Sequence, residues 1–241
     1  MVQQVYSALG FSSYKLVLST RPERDYIGTV EQWDSAEKAL SNALDSFGQP
    51  WEHNIGDGAF YGPKIDIRVS DALGRMHQTA TIQLDFQLPK RFNLQYQSKS
   101  GELERPVIIH RAVLGSIERM FAILIEHYAG KWPIWLSPRQ VMIIPVADAC
   151  FAYGEKVLSD IKRQAEGRFH VDIDTSSNTF NKKIRDAQAQ QYNFIVVVGD
   201  MEEAARTISV RSRAGAQLEP MNSQLFVDKL KKLITDQALD D

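Results

Sequence analysis

The chain has 241 residues, with 28 Lys plus Arg against 30 Asp plus Glu, and is 44% hydrophobic; it is long enough for one large or two ordinary domains with a sizeable core. Its single cysteine, Cys150, excludes an intrachain disulfide framework and a multi-cysteine zinc or iron–sulfur centre, and no apolar run approaches the roughly 18 residues a membrane helix needs. A net charge of −2 excludes blanket attraction to nucleic acid, so any such binding has to use local patches.

No basic n-region or signal-type apolar stretch opens the chain, which makes the cytoplasm the default compartment. Strand signals follow at 14–19, 64–69, 79–86 and 92–96. Ile65, Ile67 and Val69 alternate with Asp66, Arg68 and Ser70, the period of a half-buried strand, and Ile82, Leu84 and Phe86 alternate with Gln83 and Asp85 in the same way. Gly101 with Glu102 predicts a turn. Two helices interrupt the strands. Asp34 and Glu37 have the spacing of a cap with a reciprocal acid, followed by Ala36, Leu40, Leu44 and Phe47, with Gly48 as a stop. The second helix, over 115–128, places Ile117, Phe121, Leu124 and Ile125 on one core-facing side. Short connections between strands predict an antiparallel sheet.

The segment 131–139 breaks all periodicity with Pro133 and Pro138, and the domain boundary falls there, giving domains 1–136 and 137–241. Beyond it the order is strand 141–146, helix 151–164, strand 169–173, helix 181–190, strand 194–198, strand 207–211 and helix 222–236. The continuous apolar run Val196, Val197, Val198 suits a strand covered on both faces. This half therefore reads as a small α/β domain with a parallel or mixed sheet.

The usual catalytic patterns are weak. Gly56, Gly58 and Gly62 resemble a phosphate loop but lead into a strand, so the helix N-terminus that would cradle phosphate is missing. Cys150 has no histidine near it in the chain. The five histidines form no metal-binding pair; His110, at the end of an apolar run and before Arg111, is the most suggestive of them. From His110 the chain runs from a strand through small residues into a helix carrying Arg119, with Ser116 three positions earlier. A guanidinium there could offer a donor fork to phosphate or pair with a neighbouring acid.

The block His110-Arg-Ala-Val-Leu-Gly-Ser-Ile-Glu-Arg119 resembles the third signature motif of class II aminoacyl-tRNA synthetases, in the form used by threonyl-tRNA synthetases. Leu18-Ser-Thr-Arg-Pro-Glu23, Gly56-Asp-Gly-Ala-Phe-Tyr-Gly-Pro-Lys64, Thr81-Ile-Gln-Leu-Asp-Phe-Gln-Leu-Pro89, Trp132-Pro-Ile-Trp-Leu-Ser-Pro-Arg-Gln140 and Asn181-Lys-Lys-Ile-Arg185 match the same family in order. The resemblance implies an α+β antiparallel class II catalytic sheet, incomplete here, followed by an anticodon-binding domain with a mixed sheet. It also implies ATP-dependent activation of threonine, with Mg2+ accompanying ATP, and transfer to tRNA-Thr by a homodimeric ligase.

By that resemblance Arg119 would hold the γ-phosphate, with Lys64 a second catalytic candidate, and Arg119 would share a cleft floor with His110. Gln78, Thr81 and Ser116 would line the nucleotide site, and Tyr61 and Gln83 the amino acid. His110 would be one of about three protein ligands to a zinc ion that binds threonine's hydroxyl. The family's first two motifs, its other two zinc ligands and its editing domain match nothing in these residues, which implies an N-terminally truncated ligase chain, inactive alone. Thr79 stands where the family often has cysteine. In the second half Asn181, Lys182, Lys183, Arg185, Glu202, Arg211 and Arg213 would meet the anticodon loop, although residues 139–241 hold 14 basic against 15 acidic side chains. The alternatives are a non-catalytic tRNA-binding or regulatory protein derived from a synthetase, and a degenerate chain with exposed strand edges.

Overall fold

The structure, a computed structural model, describes residues 1–239. It divides into two compact units, Met1–His127 and Tyr128–Asp241.

The first unit opens with helix α1 (Val2–Ala8) and strand β1 (Lys15–Ser19). Helix α2 (Val30–Phe47) then carries the chain over to β2 (Trp51–Asn54), which lies parallel to β1. A parallel neighbour needs such a crossover, and α2 supplies it. Strands β3 (Lys64–Ser70) and β4 (Met76–Asp85) form an antiparallel hairpin. After α3 (Gln87–Arg91) and the short hairpin of β5 (Tyr96–Gln97) and β6 (Leu103–Glu104), strand β7 (Ile108–Ala112) joins β4 at the sheet edge, and α4 (Ile117–Tyr128) follows. The strand order is β2-β1-β3-β4-β7, antiparallel apart from the β1–β2 pair.

Three local expectations are corrected. Helix α2 starts four residues before Asp34, because the Thr29 hydroxyl accepts the Gln32 N–H while the Gln32 side chain accepts the Thr29 N–H. Its buried stripe is Trp33, Ala36, Leu40 and Leu44, and Gly48 closes it in the left-handed conformation at φ 78°. The strand expected at 92–96 is not formed. Asp85 Oδ1 accepts the N–H groups of Gln87 at 2.7 Å and Leu88 at 3.0 Å at the start of α3, and the turn that closes this helix takes the N–H groups of Phe92, Asn93 and Leu94 back to the carbonyls of Leu88, Lys90 and Pro89, which leaves only Tyr96 and Gln97 to pair with β6. On α4 the buried side chains are Met120, Ile123 and Leu124, whereas Ile117, Phe121 and Ile125 are exposed. Apolar residues occupy more of that helix than one stripe, so periodicity alone could not choose its inner face.

The second unit follows the expected order closely: β8 (Val141–Pro145), α5 (Phe151–Ala165), β9 (Val171–Ile173), α6 (Phe180–Ala189), β10 (Phe194–Val198), β11 (Ser209–Ser212) and α8 (Ser223–Thr235), with α7 (Asp200–Ala205) added after β10. The sheet order is β11-β10-β8-β9; β8 pairs parallel with β9 and β10, and β11 runs antiparallel. Phe194, Val196 and Val198 pack with Ile161, Phe226 and Leu230 on one face, while Ile195 packs with Ile184 and Tyr192 on the other. Both faces are covered, which explains the unbroken apolar run.

Candidate functional site

Strand register decides which side chains share a face. Asn54, Ser19, Lys64, Gln83 and His110 stand opposite one another across all five strands of the first sheet. The adjacent row contains Val17, Asp66, Thr81 and Ala112. Because successive side chains of a strand alternate between faces, these rows form one polar surface while Ile65, Ile67, Ile82 and Leu84 point to the opposite face. On that apolar side lies a cavity of about 580 Å3 lined mostly by hydrocarbon, including Leu40, Phe47, Ile67 and Ile82.

Asp66 is the centre of the polar surface, and the alternation at 65–70 misplaced it. That pattern predicts a solvent-facing acid, yet Asp66 is 0% exposed. Its Oδ2 accepts the Ser19 hydroxyl at 2.8 Å and pairs with the Lys64 ammonium. Its Oδ1 accepts the Gln78 amide at 2.6 Å and the Thr81 hydroxyl at 3.1 Å. The ladder register shifts between Ile67 and Arg68, and such an irregularity re-aims side chains; here it accompanies the diagonal reach of Gln78. A buried carboxylate is tolerated only with this degree of pairing. Lys64 also lies 3.6 Å from Asp57, so its charge is shared by two acids.

A second cluster lines a cavity of about 630 Å3, together with Phe60 and Arg91. The Tyr61 hydroxyl donates to Gln83 Oε1 at 2.6 Å, leaving the Gln83 Nε2 donors uncommitted among the described residues. Burial, reinforced by the Asp85 charge, raises the Tyr61 pKa and keeps the phenol a neutral donor. His110 Nε2 lies 2.9 Å from Asp85 Oδ2, and the Tyr61 and His110 rings meet edge-on with centroids 6.3 Å apart. Burial alone would push the Asp85 carboxyl up, but hydrogen bonds from His110 and from the Leu88 and Gln87 N–H groups outweigh it and hold the pKa below the usual range.

The glycine loop is shaped by steric demand. A Cβ on Gly58 would stand 2.5 Å from the Thr20 carbonyl oxygen and one on Gly62 1.9 Å from that of Leu84, so backbone contact fills both places.

The sequence-derived candidates thus fall into separate places. Lys64, Gln78 and Thr81 gather on Asp66, while Tyr61, Gln83 and His110 line the cavity. Ser116 and Arg119 lie exposed at the start of α4, where the Ser116 hydroxyl accepts the Arg119 N–H at 3.2 Å and donates to Glu118 at 2.8 Å. Arg119 is not among the residues lining the His110 cavity. Gly115, at φ 62°, has no room for a Cβ against the Thr79 carbonyl and so seats this turn on β4. Thr79 is buried, its hydroxyl 2.7 Å from that of Tyr6. Sequence reasoning missed Ser19, Asp66 and Asp85; an acid between two isoleucines in a strand was the available signal for Asp66.

Zinc meets only part of a donor set here. Among the described residues no group of three or more His, Cys, Asp or Glu is placed to hold a metal, and zinc with an open position takes about three protein ligands. His110 and its Asp85 partner do not fit the ion by themselves.

In the second unit Asn181, Lys182 and Arg185 lie exposed on α6, with Lys182 donating to Asn178 at 3.0 Å. Lys183 is corrected to an interior role: it is 4% exposed, donates to the Asp174 carbonyl at 3.3 Å and stands 4.9 Å from the Phe151 ring centroid. Glu202 accepts the Gly199 N–H at 3.0 Å and the Ser209 hydroxyl at 2.7 Å, and Arg213 donates to the Trp132 carbonyl at 2.8 Å. Arg211 is half-buried on β11.

Residues 1–128 match the family model described as tRNA synthetase class II core domain (G, H, P, S and T), and residues 140–233 match the anticodon binding domain. The chain is 58% identical over 214 residues to cytoplasmic threonine–tRNA ligase 1 of Rattus norvegicus, covering 88% of this chain and 30% of the relative. It is 55% identical over 240 residues to cytoplasmic threonine–tRNA ligase 2 of Homo sapiens, covering 99% of this chain and 29% of that protein. A solved structure of the RNA binding domain of threonyl-tRNA synthetase from Cryptosporidium parvum superposes with a TM-score of 0.89 at 46% identity, covering 96% of this chain and 57% of that one. The chain thus spans about 30% of the length of the curated relatives it matches. With a five-stranded sheet that carries the core-domain match and a four-stranded sheet that carries the anticodon-domain match, the chain belongs to the class II tRNA synthetase family.

Proposed function

We propose that the chain is part of a cytoplasmic threonine–tRNA ligase, which activates threonine with MgATP and transfers it to tRNA-Thr. The observation that carries this reading is the polar row ending at His110, which opens into a 630 Å3 cavity, in a chain similar to named threonine–tRNA ligases. In this reading Gln83 and Tyr61 meet the amino acid, their hydrogen bond fixing which amide group faces it. Asp66 positions Gln78 and Thr81 for the nucleotide, and its hold on Lys64 keeps that cation in the network and not loose in solvent. Ser116 adds a nucleotide contact, and the exposed Arg119 is the donor fork for departing pyrophosphate charge. In the second unit Asn181, Lys182, Arg185 and Arg211 supply the tRNA contacts, with Glu202 and Arg213 bracing the surface from within.

Zinc would supply a direct bond to the threonine hydroxyl, and His110 is the ligand this chain offers. Since one imidazole cannot hold a zinc that needs about three protein ligands, the isolated chain is expected to show no threonine-dependent ATP–pyrophosphate exchange while still binding tRNA. The test is fluorescence anisotropy with labelled tRNA-Thr and with the same tRNA carrying a replaced anticodon. A preference of about tenfold or more for tRNA-Thr is expected; equal affinities would contradict the reading. Exchange by the isolated chain would contradict its incompleteness.

A further inference from the structure

Residues 87–105 lie between β4 and β7, and from Lys90 onward almost every one is exposed. Phe92 is 66% exposed and Tyr96 47%, yet neither ring has the packing that aromatic side chains usually find. Lys90, Arg91, Lys99 and Arg105 are interleaved with them, against Glu102 and Glu104 in a chain whose net charge is −2. Among the described residues none of these four cations makes an ion pair; Arg105 donates to Asn93 at 3.3 Å. The Tyr96 hydroxyl donates to Glu104 at 3.0 Å, which fixes the ring and engages one of the two acids.

This strip is continuous with the cavity. Arg91, the last residue of α3, lines the cavity beside His110, and so does Phe60, 55% exposed. Phe92 follows Arg91 directly, and its N–H is bonded to the Leu88 carbonyl, whose residue lines the same cavity. Flat rings with open faces, alternating with uncommitted cations, suit unpaired bases and their phosphates. Lysine is depleted at the core of protein-binding patches, and Lys90 and Lys99 both stand exposed on this strip.

We infer that residues 87–105 form a track for the single-stranded 3′ end of a tRNA on its way into the cavity, with Phe92 and Tyr96 as stacking platforms and Lys90, Lys99 and Arg105 along the phosphates. The inference rests on the proposed function and adds to it a surface at the same site.

The test uses the whole chain and labelled tRNA-Thr, either intact or with its single-stranded 3′ end removed. Phe92→Ala combined with Tyr96→Ala is expected to weaken binding of intact tRNA by about tenfold or more and to leave the shortened tRNA unaffected. Phe92→Tyr with Tyr96 unaltered keeps both rings and the Tyr96–Glu104 hydrogen bond and should bind as the unaltered chain does, which separates stacking from a folding defect. Equal loss for both tRNAs, no loss for either, or loss of self-association in place of tRNA affinity would overturn the inference. Anticodon-dependent binding that ignores the 3′ end would overturn it alone; failure to bind either tRNA would remove the proposed function as well.

Discussion

The Gln78 amide donates a 2.6 Å hydrogen bond to Asp66, although Gln78 stands opposite Arg68 in the β3–β4 ladder. This diagonal contact brings Gln78 to the acid that also holds Ser19, Thr81 and Lys64, so one buried carboxylate orders donors from three strands. Removing the acid leaves a cation 11% exposed whose one remaining ion-pair partner among the described residues is Asp57. Asp66→Ala is therefore expected to destabilise the first unit by about 3–5 kcal/mol. Urea unfolding, followed on the transition of residues 1–127, checks it. A loss below about 1 kcal/mol would mean that Asp66 does not hold the surface together.

Much of this arrangement was legible in the sequence, and the failures have physical causes. Alternation located β3 and β4 because Ile65, Ile67, Ile82 and Leu84 have to share the apolar face. The same rule placed Asp66 in solvent, since periodicity reports which face a residue takes and not whether that face is covered. Phe92, Leu94 and Tyr96 alternate as a strand would, but the turn that closes α3 takes the N–H groups of Phe92, Asn93 and Leu94 back to carbonyls of that helix. The α2 cap lay at Thr29 with Gln32, before the first helix-spaced apolar residue that sequence reasoning used. The second unit was read almost element by element because its buried strands and amphipathic helices alternate without competing signals.

Asp85 gives a pH-dependent prediction. Its folded-state pKa is held below the usual carboxylate value, so its contribution to stability is present above about pH 4 and is lost as pH falls through the folded value. Asp85→Asn should lower the melting temperature at pH 7, and the gap to the unaltered chain should narrow as the pH falls below the usual carboxylate range. A gap that widens on acidification would mean that ionised Asp85 does not stabilise the fold.

Asp71 offers a second, independent acid-sensitive point. Its carboxylate accepts His77 at 2.8 Å, the Arg75 guanidinium at 2.6 Å and the N–H groups of Arg75 and Leu73, at the turn joining β3 to β4. Burial opposes ionisation, but these bonds outweigh it and keep the carboxyl well below its ordinary range. Asp71→Asn should lower the melting temperature near neutral pH, an effect that fades under strongly acidic conditions. Calorimetry across pH checks it, and a pH-independent difference would contradict it.

Adjacent lysines on α6 should behave oppositely. Lys182→Ala, at an exposed position, is expected to weaken tRNA binding and to reduce the slope of log affinity against log salt by about 1, with stability unchanged. Lys183→Ala removes a buried contact to Asp174 and Phe151, so it should destabilise the second unit by about 1–3 kcal/mol. At temperatures where the unit is folded, its salt slope should stay as it was. Salt-dependent binding and thermal unfolding of both variants separate the roles, and a changed slope for Lys183→Ala would place its ammonium on tRNA.

The most direct measurement is side-chain NMR of the chain titrated with a non-hydrolysable threonyl-adenylate analogue, read at Tyr61, Gln78, Gln83 and His110. The account predicts that resonances from the Asp66 network and from the His110 cavity move together. Shifts confined to the second unit, or to one of the two clusters of the first, would contradict it.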